Sequence, residues 1–270
     1  MWLLNTKTLK LEEHVDPAAI KYAILSHTWE EDEVSFRDIS DLDLAKRKAG
    51  FTKIAKTCRL ARSRGIRLAW VDTCCIDKSS SAELSEAINS MFQWYKLSAV
   101  CFAYLSDFVI RSPDRSSRVR ESFFEIADED AFKRCKWFTR GWTLQELIAP
   151  KIVEFYDSSW GLVGTKSQLP EILESITRIP LQVLLNSSKL QSTIVAVKMS
   201  WAAQRQTKRI EDRAYSLLGI FDINMPLIYG EGAKAFRRLQ EEIVKETNDL
   251  SLHGIGSPYL TTPVNNVTSI

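Results

Sequence analysis

Three short apolar runs, separated by two stretches of helical periodicity, constrain this chain more than any other feature. Residues 22–26, Tyr-Ala-Ile-Leu-Ser, form an apolar run ending in a polar residue and read as a buried strand. Residues 67–72 (Arg-Leu-Ala-Trp-Val-Asp) and 99–105 read the same way, the latter rich in aromatic and β-branched residues. Between the first two runs, Phe51, Ile54, Ala55, Cys58 and Ala61 recur at helical spacing. They predict a helix over 44–64, which Gly65 is placed to end. Between the second and third, Ser80 and Glu83 have capping-box spacing. The helix they open carries Leu84, Ala87, Ile88, Met91 and Trp94 on its apolar side. A β-α-β-α-β order requires parallel strands joined by helical crossovers.

The pattern continues less regularly. Residues 30–43 are acidic and loop-like, and 111–120 form a polar loop containing Pro and Ser. Helices are predicted over 131–137 and 142–148, the second stopping before Pro150, and a fourth strand over 152–156. The second half changes character, with helical patterns over 170–179, 193–204, 210–218 and 232–247. The expected organisation is an α/β core over 1–160, a mostly helical extension of the same domain over 161–250, and a tail or linker over 251–270. With 270 residues, 45% of them apolar, such a core needs neither disulfides nor a metal to hold it.

Several function classes lose support. A formal net charge of +2 gives no reason to expect a nucleic-acid partner. The basic group Lys46, Arg47, Lys48, Arg59, Arg62, Arg64 and Arg67 reads as the solvated face of a helix. Cys58, Cys74, Cys75, Cys101 and Cys135 are odd in number and irregular in spacing, which fits neither a secreted disulfide scaffold nor, with three histidines, a zinc site. The N-terminus lacks a basic region followed by an apolar run, and 99–105 is too short to span a bilayer. A cytosolic location without a membrane span is therefore expected, and Asn266-Val267-Thr268 carries no weight as a glycosylation signal. No dinucleotide-binding Gly-x-Gly-x-x-Gly, Walker lysine or Gly-x-Ser-x-Gly elbow occurs.

In open parallel sheets, ligands bind beyond the carboxyl ends of the strands. Those ends deliver Ser26, His27, Thr28 and Trp29, then Asp72, Thr73, Cys74, Cys75 and Asp77, then Ser106 and Asp107. Each also has a structural reading. Ser26 and Thr28 can cap a turn, Asp72 can hold a loop through backbone N–H groups, and Asp77 beside Lys78 fits a turn or surface pair. Cys74 and Cys75 read better as small core residues than as nucleophiles activated by His27. His27, at a strand end, suits ligand contact as well as structure.

The residues themselves resemble a known family. Tyr22-Ala-Ile-Leu-Ser-His-Thr-Trp29, Trp70-Val-Asp-Thr-Cys-Cys-Ile-Asp-Lys78 and Arg140-Gly-Trp-Thr-Leu-Gln-Glu-Leu147 resemble the three signature blocks of fungal heterokaryon-incompatibility (HET) domains. Glu86–Tyr95, Glu211–Ile220 and Met225–Gly232 extend the likeness, which covers roughly residues 20–250. HET domains are in turn similar to Toll/interleukin-receptor (TIR) domains, which share a parallel sheet flanked by helices. Trp142-Thr-Leu-Gln-Glu146 looks like the Trp-x-x-x-Glu helix of TIR enzymes that cleave NAD, whose glutamate is catalytic.

The resemblance implies a cell-death module that cleaves NAD or NADP as substrate, with no resident cofactor or metal. Glu146 would be the catalytic carboxylate, and Ser26, His27, Thr28, Trp29, Asp72, Cys74 and Trp142 would bind the dinucleotide. It also implies activation by self-association, the monomer being weakly active, and a nucleotide-binding oligomerisation domain or sensor as partner in cis or trans. Three alternatives stay open: Glu146 in a salt bridge with Arg140 or another arginine, Trp142 as a core anchor, and a non-enzymatic module acting by self-association. The acidic loop 30–43 is either a gate over the strand ends or a solvated connection.

Overall fold

The computed structural model describes residues 1–110 and 128–247. The expected polar loop over 111–120 and the tail after Asn248 lie outside them. The chain opens with a hairpin of β1 (Trp2–Asn5) and β2 (Leu11–Glu13), followed by β3 (Tyr22–His27). Helices α1 (Leu42–Ala45) and α2 (Phe51–Ser63) lead to β4 (Leu68–Trp70), and α3 (Ser81–Leu97) leads to β5 (Val100–Tyr104). Then come α4 (Glu129–Lys133), α5 (Thr143–Ile148), β6 (Val153–Tyr156) and β7 (Leu162–Thr165). The extension holds α6 (Pro170–Thr177), α7 (Leu181–Leu185), α8 (Val195–Ala202), α9 (Asp212–Tyr215), α10 (Leu218–Phe221) and α11 (Lys234–Glu246).

Seven strands form one sheet in the order β2-β1-β4-β3-β5-β6-β7. The expected α/β class holds: β3 pairs in parallel with both β4 and β5, and β5 in parallel with β6. The outer pairings, β1 with β2 and β4 and β6 with β7, are antiparallel. The chain leaves β3 for β4 on one side and returns to β5 on the other. That reversal places a topological switch at the carboxyl end of β3, where a crevice opens. All six residues of β3 are buried, which explains a near-continuous apolar run where an edge strand would alternate.

Local expectations succeed where short-range chemistry decides. Ser80 caps α3, its hydroxyl accepting from the Glu83 amide, and Gly65 takes φ +67° just past α2. They fail where a distant contact intervenes. The helix expected over 44–64 breaks between α1 and α2, because residues 46–50 dock on the acidic loop. Gly50 N–H reaches the Asp32 carbonyl at 3.2 Å and Ala49 N–H the Asp32 carboxylate at 2.9 Å. A Cβ on Gly50 would sit 2.9 Å from Glu33 Cα, so the approach needs glycine. The helix expected over 131–137 becomes α4 and a 3-10 turn (Lys136–Thr139), the turn's first amide held by Asp107 at 2.9 Å. The pattern over 210–218 divides into α9 and α10. β1, β2 and β7 carry too few residues for a visible period, and β7 takes the sheet past the expected boundary at 160. Among the described residues, no helix is long and apolar enough to cross a membrane.

Candidate functional site

At the switch lies a cavity of about 260 Å³. The strand ends contribute His27, Trp29 and Asp72, and α3 gives an apolar wall of Leu84, Ile88 and Met91. Trp142 and Glu146 enter from the α5 segment, one helical turn apart and so on one face. The opposite wall comes from the extension: Lys208, Arg209, Asp212 and Tyr229. The cavity is therefore completed by residues that follow the last strand, β7, in the chain.

Glu146 is 5% exposed, and every residue of α5 is buried. Its Oε2 accepts a short hydrogen bond from the Ser26 hydroxyl, whose oxygen in turn accepts from the Trp137 indole N–H at 2.8 Å. An indole can only donate, so the direction of this chain is fixed and Ser26 must spend its proton on Glu146. The Tyr95 hydroxyl, itself donating to the Leu25 carbonyl at 3.0 Å, is the other polar neighbour. Burial pushes the Glu146 carboxyl up to about 8, against the pull of the Ser26 hydrogen bond and with help from the negative charge of Asp72. No ion pair forms between Glu146 and an arginine among the described residues. Arg205 lies behind α5, where its guanidinium donates to the Arg140 carbonyl at 2.8 Å and Thr143 Oγ1 at 3.0 Å, and it acts on Glu146 only through space.

Asp72 has the opposite environment. Burial alone would raise it, but the hydrogen bond and charge of His27, then Lys78 and the Trp29 indole, hold it below the usual carboxylate range. His27 Nε2 lies 3.0 Å from one Asp72 oxygen and the Trp29 N–H 2.6 Å from the other. The Lys53 ammonium sits 3.4 Å from His27 Nδ1. Glu33 Oε1 lies 3.8 Å from the same nitrogen, so the ring is held between Asp72 on Nε2 and the Lys53–Glu33 pair on Nδ1. Lys53 also binds Glu33 at 2.6 Å and Glu30 at 3.0 Å, and Lys48 binds Asp38 at 2.6 Å. The acidic loop is thus fastened to the histidine of the site through one buried lysine. Two carboxyls in one cavity, one driven neutral and one kept ionised, is the arrangement by which sites separate acid and base roles.

Of the residues expected at the site, His27, Trp29, Asp72, Trp142 and Glu146 line the cavity. Ser26 is fully buried beneath it and reaches it through Glu146. Thr28 does not line it: its hydroxyl faces Ser106 at 3.4 Å and its carbonyl takes Lys53 at 3.2 Å. Cys74 does not line it either. It has no exposed surface, and burial pushes its thiol well up, as suits a core residue.

Sequence reasoning missed Lys78, Arg140, Lys208, Arg209, Asp212 and Tyr229 as cavity residues. Lys78, Arg140, Asp212 and Tyr229 lie within the family-like blocks, the last two in Glu211–Ile220 and Met225–Gly232, whereas Lys208 and Arg209 lie just outside them and carried no signal. Glu211 accepts the amides of Gly230 at 2.8 Å and Gly232 at 3.0 Å, two glycines that both need positive φ. Tyr229 donates to Asp212 at 3.0 Å, while Tyr215 joins Glu231 and the Ile228 amide. The two blocks are one interlocked wall.

Comparison with known proteins bears on the family of the chain. Residues 22–146 match the family model described as Heterokaryon incompatibility protein (HET). Vegetative incompatibility protein HET-E-1 of Podospora anserina is 48% identical over 233 residues, 85% of this chain. The chain spans 16% of the length of that relative. No solved structure matches, so the likeness to TIR domains rests on the sequence blocks alone. On the family match and this identity, the chain belongs to the heterokaryon-incompatibility (HET) domain family.

Proposed function

We propose that this domain is a cytosolic cell-death effector of heterokaryon incompatibility that cleaves NAD or NADP at the nicotinamide–ribose bond. The supporting observation is Glu146: a buried carboxyl, bonded to Ser26 and through it to Trp137, in a cavity with one apolar wall from α3. Cleaving that bond builds positive, oxocarbenium-like character on the ribose, which a fixed carboxylate stabilises. Nicotinamide is already cationic in the substrate, so it departs without a proton donor. The same charge addresses ionisation: an entering cation favours the carboxylate, lowering a group that burial otherwise keeps protonated up to about pH 8. Asp72, ionised and fixed by His27 and Trp29, adds to that field. In this reading water forms the new C–O bond at the ribosyl carbon as the C–N bond breaks, neutral nicotinamide leaves with the bonding pair, and the proton of the water passes to solvent.

The test is nicotinamide release by the purified chain, alone and fused to an inducible dimeriser, with Glu146→Gln beside it. Release that rises on clustering and falls at least 100-fold in the variant supports the reading. No release in either state, with Glu146→Gln still lethal in cells, overturns it in favour of a non-enzymatic module acting by self-association.

A further inference from the structure

Resting on that reading, we infer that Arg140, Lys208 and Arg209 form an anion subsite that holds the diphosphate of a dinucleotide while its nicotinamide-riboside end reaches Glu146. The cavity has a charge gradient with depth. Glu146 is buried at the floor, Arg140 is half-buried, and Lys208 and Arg209 are exposed at the mouth. A ligand with a cationic head and an anionic middle fits that gradient in one direction only.

The other cations of the site are committed elsewhere. Lys53 is paired with Glu33 and Glu30, Arg205 with backbone carbonyls, and Lys78 lies 3.8 Å over the Trp29 ring beside Asp72. Among the described residues, Arg140, Lys208 and Arg209 form no ion pair. Asp212 and Glu211 lie in the field of Arg209 without an ion pair to it; burial raises the Asp212 carboxyl, which takes hydrogen bonds from Tyr229 and Trp142, and Glu211 is taken up by the amides of Gly230 and Gly232. A second cavity, between α3 and α10, has no lysine or arginine among the described residues of its lining.

The three cations are also held in register. Residues 139–141 and 206 form a two-bond bridge, Gln206 N–H to the Thr139 carbonyl at 2.7 Å and Gly141 N–H to the Gln206 carbonyl at 2.8 Å. The next residues of that strap are Thr207, Lys208 and Arg209, so the bridge sets both cations beside Arg140. A Cβ on Gly141 would meet Thr207 Cγ2 at 2.5 Å, so glycine is what lets the two segments approach. Arg209 then lies across the Tyr229 ring, 4.4 Å from its centroid. Guanidinium groups fixed in this way bind phosphate oxygens with two parallel hydrogen bonds.

The experiment is titration calorimetry on the full chain carrying Glu146→Gln, which prevents turnover. Its probes are NAD, ADP and nicotinamide riboside, with the rim intact or carrying Lys208→Gln and Arg209→Gln together. Both rim residues are exposed, so the fold tolerates the change. NAD and ADP affinity should fall at least tenfold and lose most of its salt dependence, while the phosphate-free riboside binds as before. Charge-conserving Lys208→Arg should retain affinity. ADP and NAD binding unchanged within twofold, an equal loss for the riboside, or no ADP binding at all overturns the subsite. Rim-dependent ADP binding without any nicotinamide release by the wild-type chain upholds the subsite and overturns the hydrolase reading alone. Nicotinamide release with a KM indifferent to the rim does the reverse.

Discussion

Replacing Glu146 by glutamine should stabilise this domain at alkaline pH, and the reason is the same burial that makes the residue chemically useful. In the unfolded chain the carboxyl titrates near its ordinary 4.5, and in the folded chain near 8. Between those values the folded state keeps a proton that the unfolded state has released. Stability therefore falls with rising pH, by about 1.4 kcal/mol per pH unit, and levels off above 8. Across the window the loss amounts to about 5 kcal/mol at most, and about half that if water relaxes around the charge. Glutamine is nearly isosteric with the neutral acid. Its carbonyl accepts from Ser26, and its amide can donate to the Tyr95 oxygen, whose own proton is spent on the Leu25 carbonyl. The groups that feel the Glu146 charge titrate outside this window, Asp72 held low, Tyr95 and Cys101 pushed well up and Arg205 at about 10, so the difference isolates Glu146. Denaturant melts at pH 5 should nearly coincide, and by pH 8.5 the variant should lead by about 2–5 kcal/mol, which in thermal melts is roughly 5–15 °C in midpoint. Parallel stability curves for the two proteins across pH 5–9, or a variant weaker at pH 8.5, would refute the claim that Glu146 is buried uncharged.

Other consequences follow from single contacts. Ser26→Ala strands the Trp137 N–H and removes the donor to Glu146; it should cost about 1–3 kcal/mol and move the alkaline rise of kcat/KM to higher pH, read from a pH–rate profile. Gly141→Ala should push the Thr207–Arg209 strap outward, raising KM for NAD more than it lowers kcat, with a stability loss of about 1–3 kcal/mol. Lys53→Met leaves Glu33 and His27 without their shared cation and should release the acidic loop, costing about 3 kcal/mol and exposing residues 30–41 to limited proteolysis, with Lys53→Arg largely restoring protection.

The sequence made the parallel core readable because its signals are local. A period of two or 3.6, a capping serine and a terminating glycine each act within a few residues, so β3, α3 and the end of α2 could be placed from pattern. The same holds for the strand ends: His27 and Asp72 follow their strands, and the switch in strand order brings them together. The α1–α2 break was not readable, because its cause is Gly50 seated against Glu33, a contact formed only after the acidic loop folds back. Thr28 and Cys74 show the limit from the other side. Both sit in signature blocks next to cavity residues, yet one faces Ser106 and the other the core, because neighbours along the chain after a strand end point in different directions.

The second wall of the cavity carries the larger lesson about how this domain is built. An α/β core ending near residue 160 would present Glu146 and Asp72 to solvent on one side. Water there would relieve the desolvation that separates their protonation states. What closes that side is a segment whose backbone is stitched to residues 139–141, whose Glu211 clasps two positive-φ glycines, and whose buried Arg205 supports the first turn of α5 from behind. The extension therefore sets the dielectric and the charge around Glu146 as much as it adds contact surface. Core and extension are in this sense one site, and the blocks over 211–232 belong with those over 22–147 because each supplies a wall that the other lacks.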